Sequence, residues 1–147
     1  MSPNGETSKD LLFELGQIRK ELTVLNRMLG KRRRLGRDEV QIRAAASSLQ
    51  SIYNGMEKML AMALERQGRK VRSGPTSHSD LLDEARAVGI ISLELNNSLR
   101  ELMGFRHFYR HSYGFLIDNE QMNPLLEDLD EVINALAQEL HVESGGA

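Results

Sequence analysis

The sequence contains no cysteine, no run of alternating apolar and polar residues that would indicate a β-strand, and no internal repeat. Without cysteine it can form neither disulfides nor thiolate metal sites, which is compatible with a reducing compartment. No apolar run approaches the roughly 20 residues that a membrane-spanning helix needs. The first ten residues also lack the apolar stretch of a signal peptide. We therefore expect a cytoplasmic protein that does not enter a membrane.

The chain is long enough for a single domain with a real core, and its apolar residues indicate helices. They recur every three to four positions along most of the chain, as expected for helices with one buried face. One stripe runs from Leu11 to Leu29 and a second from Ile42 to Ala63. Gly30 and Gly36 predict a turn between these two helices.

The second half of the chain predicts two or three more helices. Residues 68–78 are rich in glycine and basic groups and predict a loop, followed by a short helix that ends near Gly89. The next helix is expected from about Ile91 onward. Asn123 and Pro124 are predicted to be the N-cap and the first residue of the last helix. The expected fold is an all-α, antiparallel, up-and-down bundle of four to five helices within one domain, residues 1–147, with frayed ends at about 1–8 and 143–147.

Charge is distributed unevenly, although the net charge is only −2. Residues 27–43 carry seven Lys or Arg and two acidic residues, whereas residues 115–147 carry eight Asp or Glu and no Lys or Arg. One interpretation is two solvated helix faces. The other is a basic rim that attracts RNA, extended by the basic loop 69–72, with the acidic helix elsewhere or against a partner.

The most informative feature is a segment of eight residues, which we call the Arg/His segment: Arg106, His107, Phe108, Tyr109, Arg110, His111, Ser112 and Tyr113. Arginine offers a permanently charged, planar set of donors that suits a phosphate. Histidine can gain or lose a proton near neutral pH. The segment lies at the end of the predicted fourth helix, where Gly114 is placed to terminate it. These residue types predict a site that binds phosphate and transfers protons.

Helical geometry separates the two central residues of this segment. Arg106 and His111 are about 140° apart around an ideal helix, so they do not face each other as residues at i and i+4 do. A shared site requires the arginine side chain to reach around the helix, unwinding near Gly114, or a second subunit. We favour a symmetric dimer in which two copies of this helix complete the site.

Several structural explanations compete with a catalytic one. Arg106 could stack on Tyr109 or Tyr113, and exposed histidines are usually only surface residues. His107 and His111 have an i, i+4 spacing that can hold a metal ion, but the segment contains no carboxylate or thiolate to complete a metal site. We therefore expect no metal site and no cofactor.

The pattern Arg-x4-His-x-Tyr, formed by Arg106, His111 and Tyr113, resembles the signature of the HEPN superfamily, and most closely its HepT-like ribonuclease toxins. The likeness extends beyond the motif. Further similar segments are residues 52–57, 77–82, 99–113 and 114–118, and together they cover most of residues 10–141. This resemblance implies a helical bundle that forms a homodimer and cleaves RNA without a metal ion.

The resemblance also implies roles for individual residues. Arg106 and His111 would be the catalytic pair, and Tyr113 would match the tyrosine that a minimal nucleotidyltransferase antitoxin modifies with AMP. We expect Arg110 and His107 to contact phosphate or RNA beside them. Two other interpretations remain open. One is a non-catalytic HEPN-type module that binds a nucleotide or substrate for a nucleotidyltransferase, and the other is a plain helical dimerisation protein.

Overall fold

A computed structural model describes residues 3–70, 77–111 and 117–142, with side chains from residue 8 onward. Five α-helices and no strands make up the secondary structure of these residues. The helices are α1 (Pro3–Leu29), α2 (Glu39–Arg66), α3 (Ser77–Ala87), α4 (Leu93–His111) and α5 (Asn119–Glu139). The all-α fold expected from the apolar periodicity is thus confirmed. Tyr113, Gly114 and the end predicted to fray at 143–147 lie outside the described residues, while α1 already includes residues 3–8.

Helix α2 is the centre of the bundle and contacts each of the other four helices. Its most extensive partner is α1, which runs antiparallel to it and comes very close at Gly55. A Cβ atom at Gly55 would lie 2.7 Å from Cγ1 of Ile18, so glycine permits this approach while any larger residue would displace the Ile18 side chain. Both apolar stripes predicted for these helices line the core.

Helices α4 and α5 continue the up-and-down order of α1 and α2, whereas the short α3 runs parallel to α2, since His78 at its start contacts Glu57 and Glu84 farther along contacts Arg69. At the start of α4, the Ser92 backbone N–H donates to Glu139 at the end of α5 (2.5 Å), so these two helices are antiparallel. Arg19 of α1 donates to Asn134 of α5 (3.2 Å). The arrangement is the up-and-down bundle expected from the sequence. Within the described ranges, no helix is both long and apolar enough to cross a membrane.

The start of α5 differs from the prediction. The helix begins at Asn119, and its N-cap is Asp118, whose carboxylate accepts a hydrogen bond from the Gln121 backbone N–H (2.8 Å). Asn123 and Pro124 therefore lie inside the helix. Pro124 is exposed there, so the carbonyl that loses its intrahelical donor can be solvated by water.

Asn123 has a different role, which its position in the sequence did not indicate. Its buried side chain accepts a hydrogen bond from the Leu35 backbone N–H (2.8 Å) and donates to the Leu35 carbonyl (3.1 Å). Leu35 belongs to the turn between α1 and α2 and is itself buried. A single amide thus fixes that turn against α5 and satisfies both polar backbone groups of a buried residue.

We expect Asn123→Ala to lower the free energy of unfolding by about 1–3 kcal/mol, because it leaves the buried N–H of Leu35 without a partner and its C=O with only the longer bond from Asn119 (3.4 Å). Urea unfolding at one fixed protein concentration measures this loss. Asn134→Ala is the matched control, since it removes an exposed amide of the same helix and should change stability by less than about 0.5 kcal/mol. Equal effects of the two substitutions would contradict the role assigned to Asn123.

Candidate active site around Arg106

The Arg/His segment forms the last turns of α4, as far as His111. On its inner side, Phe105 is buried and stacks on Tyr109, with the ring centroids 6.2 Å apart. Phe108 and Tyr109 are partly buried against the core. The aromatic residues thus hold the end of α4 on the bundle, and this leaves the arginines and histidines at its edge and surface.

Arg106 projects toward α2 and α3, and its side chain is partly buried. Its Nε atom donates to Oδ1 of Asn54 on α2 at 2.7 Å. Its Nη1 atom lies 3.2 Å from Nε2 of His78, at the start of α3. The guanidinium is therefore held where three helices meet.

His78 is in turn fixed by a carboxylate. Its Nδ1 atom lies 2.8 Å from each of the two carboxylate oxygens of Glu57 on α2. Glu57 is only 9% exposed, whereas the side chain of His78 is 37% exposed. A buried carboxylate without a partner would be costly, so this contact explains how Glu57 is accommodated in the core.

Tyr53 lies one helical turn before Glu57, on the buried side of the site. It is 1% exposed, and its hydroxyl makes no hydrogen bond of normal geometry to the described residues. Burial and the negative charge of Glu57 raise the pKa of Tyr53 above its ordinary value, while Arg106 and Arg100 act in the opposite direction. The phenol therefore keeps its proton and is available as a neutral donor beneath the charged groups.

His111 lies away from this cluster. It is exposed at the end of α4, and its ring packs on His107 with the centroids 4.4 Å apart. Arg110 is exposed as well. One chain therefore brings together Arg106, His78, Glu57 and Asn54, and it does not bring His111 to Arg106. The remaining site residue, Tyr113, lies outside the described residues.

The separation of Arg106 and His111 follows from their spacing on a helix and was predicted from the sequence. Nothing in the sequence indicated which residues contact Arg106. Asn54 and His78 are 52 and 28 residues away from it in the chain. A signal was nevertheless present at Glu57. This charged residue falls on the buried face of α2 between Met56 and Leu60, which are 0% exposed, and a charge at such a position needs a partner.

The basic turn, residues 30–37, lies toward the end of the bundle at which α4 ends, because α5 is antiparallel to α4 and Asn119 at the start of α5 donates to the Leu35 carbonyl of the turn. Two of its arginines pair with the acidic α5: Arg33 contacts Asp130 at 2.5 Å, and Arg34 contacts Glu127 at 3.6 Å. The acidic helix is thus adjacent to the basic segment, and the expectation that it lies elsewhere is wrong. Lys31, Arg32 and Arg37 are exposed and have no ion pair among the described residues.

The basic loop after α2 is not part of this surface. Arg69 pairs with Glu84 of α3 at 3.0 Å. It follows the opposite end of α2, which at 28 residues is about 42 Å long. The expected extension of the basic rim by this loop is therefore wrong for Arg69 and Lys70, and residues 71–72 lie outside the described residues.

No group of three or more histidine or acidic side chains that could hold a metal ion occurs in the part of the chain that the structure describes. The charged groups around Arg106 form an arrangement other than a metal site. A permanently cationic guanidinium, a histidine and a buried carboxylate follow one another in a line. Such an arrangement can bind a phosphate oxygen and exchange a proton beside it.

An all-α up-and-down bundle whose fourth helix ends in Arg-x4-His is an HEPN-like bundle. A family model described as HepT-like protein matches residues 44–142, which include α3, α4, α5 and most of α2. The chain belongs to the HepT-like family. This family is a ribonuclease-type HEPN family and indicates a toxin-type module. No curated protein and no solved structure matched the chain.

Proposed function

We propose that this protein is a metal-independent endoribonuclease, the toxin of a toxin–antitoxin pair. The observation that carries the proposal is the position of Arg106. Its guanidinium is held by Asn54 and His78 at a partly buried junction of three helices, on the helix that also carries His107, Arg110 and His111. Membership of a ribonuclease-type HEPN family supports the same activity.

The chemistry needs no metal ion, because the nucleophile is the 2′-hydroxyl of the RNA itself. Arg106 binds the phosphate and stabilises the negative charge that develops as the 2′-oxygen attacks phosphorus. His111 exchanges a proton with the reacting oxygens. The exposed Lys31, Arg32 and Arg37 supply a basic surface toward the same end of the bundle, where an RNA backbone can bind through its phosphates.

We further propose that the active form is a homodimer with composite sites. Within one chain the side chain of Arg106 is directed to α2 and α3, whereas His111 is exposed with His107 on the outside of α4. An exposed, paired histidine at a helix end can enter a site on a second copy. Two-fold symmetry then produces two equivalent sites, each with Arg106 of one subunit and His111 of the other.

The expected regulator is a minimal nucleotidyltransferase antitoxin that transfers AMP to Tyr113. The alternative is a non-catalytic module, in which Arg106 and Arg110 hold a nucleotide phosphate for a nucleotidyltransferase. The engagement of Arg106 with Asn54 and His78 is compatible with this alternative, because the same contacts would orient a binding guanidinium. Turnover distinguishes the two functions.

We expect the purified protein to cut RNA in EDTA and to leave a 2′,3′-cyclic phosphate and a 5′-hydroxyl. End-group analysis of a labelled oligonucleotide detects both products. An oligonucleotide with 2′-deoxy sugars throughout is the control, and it should bind but stay intact because it lacks the nucleophile. Cleavage that stops in EDTA and returns with zinc would contradict the mechanism and support a metal site at His107 and His111. Binding of both oligonucleotides without cleavage would favour the non-catalytic module.

A further inference from the structure

The donors and acceptors around His78 determine which of its nitrogens carries the proton. Arg106 is always protonated and has only donors, so Nε2 of His78, at 3.2 Å from Nη1, must accept. The proton of the neutral ring is then on Nδ1, which donates to the carboxylate of Glu57 at 2.8 Å. The lone pair of Nε2 consequently faces the guanidinium.

This orientation places a proton acceptor next to the group that is proposed to bind phosphate. A histidine whose Nδ1–H is held by a carboxylate, with a free Nε2 toward the substrate, is the arrangement that serves as a general base in serine hydrolases. Glu57 fixes the ring and would stabilise the positive charge that forms when Nε2 takes up a proton. Its buried position, at 9% exposed, strengthens this effect by keeping water away from the carboxylate.

We infer that His78, oriented by Glu57, is the general base of the RNA cleavage proposed above, and that His111 is the acid. The inference rests on that proposed function. As RNA binds, a phosphate oxygen replaces Nε2 of His78 as the acceptor for Nη1 of Arg106, while Asn54 retains Nε. The lone pair of His78 is thereby released beside the bound phosphate.

The two histidines then carry out the two proton transfers of the reaction. Nε2 of His78 removes the proton of the 2′-hydroxyl as the 2′-oxygen forms a bond to phosphorus. The bond between phosphorus and the 5′-oxygen breaks, and that oxygen receives a proton from His111. The products are a 2′,3′-cyclic phosphate, a 5′-hydroxyl, protonated His78 and neutral His111. Exchange of protons with water restores both histidines.

His78 is a better candidate for the base than for the acid. A protonated His78 would direct an N–H from Nε2 at a guanidinium that also offers only N–H groups, so two donors would face each other at 3.2 Å. The contact with Arg106 thus matches an Nε2 that carries a lone pair, which is what a base requires. His111 has no such cationic neighbour in the described structure, where its ring packs on His107.

An RNA substrate in which sulfur replaces the bridging 5′-oxygen tests this assignment. A thiolate leaves without being protonated, so this substrate does not need a general acid. We expect His78→Ala to slow cleavage of ordinary RNA by on the order of 10² to 10⁴, and to slow the sulfur-containing substrate to a similar extent. His111→Ala should slow ordinary RNA but cleave the sulfur-containing substrate at close to the wild-type rate.

Glu57→Gln tests the positioning role, because glutamine preserves the size of the side chain and removes its charge. We expect kcat to fall on the order of 10² or more, as when a carboxylate that orients a catalytic histidine becomes an amide. The dissociation constant for an uncleavable 2′-deoxy analogue should stay within about twofold, since the substitution affects the transition state and not binding. The control is His141→Asn, which should retain wild-type cleavage. His141 lies at the other end of the bundle, and asparagine tolerates its φ of +58°.

The possible outcomes separate this inference from the proposed function. If the wild-type protein cuts RNA and His78→Ala cuts it equally well, the pair of His78 and Glu57 has no catalytic role. Only the inference is then overturned. Recovery of His78→Ala on the sulfur-containing substrate would make His78 the acid and overturn the assignment of the base. If His78→Ala and Glu57→Gln both lose analogue binding and thermal stability, the contact between His78 and Glu57 is only a structural link between α2 and α3. A wild-type protein that cuts neither substrate overturns the proposed function, and the inference with it.

Discussion

Arg106→Ala and His111→Ala are each expected to reduce RNA cleavage by on the order of 10² to 10⁴, with helicity unchanged. Arg106 is expected to stabilise charge on the phosphate, and His111 to protonate the leaving oxygen. Neither residue supports the core. Arg106 is partly buried at the edge of the helix junction, and His111 is exposed. A catalytic loss without unfolding is therefore the expected result.

A heterodimer of the two variants makes the prediction sharper. If each site combines Arg106 of one subunit with His111 of the other, a dimer of Arg106→Ala with His111→Ala contains one intact site and one site that lacks both residues. Its activity should recover to about half of the wild-type value. Coexpression with two different tags and purification on both gives this species. Light scattering of the wild-type protein should give twice the chain mass of 16.6 kDa.

Matched substitutions outside the site control for nonspecific effects. Arg66→Ala removes an exposed arginine at the far end of α2, and His141→Asn removes a histidine at the end of α5; both should retain wild-type cleavage. A heterodimer as inactive as its two parents would place both residues in the same subunit's site and exclude the composite arrangement. A monomer at all accessible concentrations would exclude it as well.

The helical bundle could be predicted because its information is local. The stripes from Leu11 to Leu29 and from Ile42 to Ala63 specify which face of each helix is buried, wherever the partner helix lies. The start of α5 could not be predicted in the same way. Asn123 followed by Pro124 has the composition of a helix start, but Asp118 caps the helix five residues earlier and Asn123 bonds to Leu35. The competing contact spans 88 residues of sequence.

The candidate site likewise depends partly on local sequence and partly on contacts between distant residues. Arg106 and His111 stand out because they are close in sequence and chemically distinctive, and helical geometry alone separates them by about 140°. His78 and Glu57 become a dyad only when α3 packs against α2, which no local pattern reveals. The resemblance to HepT-like proteins included the segments that contain them, 52–57 and 77–82, and the charge of Glu57 on an apolar helix face indicated that this residue needs a partner without indicating which one. The fold therefore adds to the motif the residues that orient it.

Modification of Tyr113 is expected to be the second large effect, because it would switch the protein off. The residue follows His111, the proposed catalytic histidine, by two positions in the sequence. Transfer of AMP to its hydroxyl would add a negatively charged phosphate and a bulky nucleoside there. Both would oppose binding of an RNA backbone, the phosphate by like-charge repulsion and the nucleoside by occupying space.

If the partner is a minimal nucleotidyltransferase, its coexpression is expected to raise the mass of the chain by one or more AMP units and to suppress RNA cleavage. Intact-mass spectrometry and the cleavage assay in EDTA measure the two effects on the same sample. Treatment with a phosphodiesterase that removes AMP should restore activity. This reversal distinguishes modification from damage to the fold.

Tyr113→Phe removes only the acceptor hydroxyl, so the aromatic ring remains. This variant should cut RNA on its own, gain no mass in the presence of the partner, and remain toxic when the two are coexpressed. Tyr109→Phe is the matched control, since Tyr109 is a partly buried tyrosine of the same segment that stacks on Phe105; it should be modified and neutralised like the wild type. If the partner neutralises Tyr113→Phe equally well without any gain in mass, it acts by covering the site, and the assignment of Tyr113 as the regulatory acceptor is wrong.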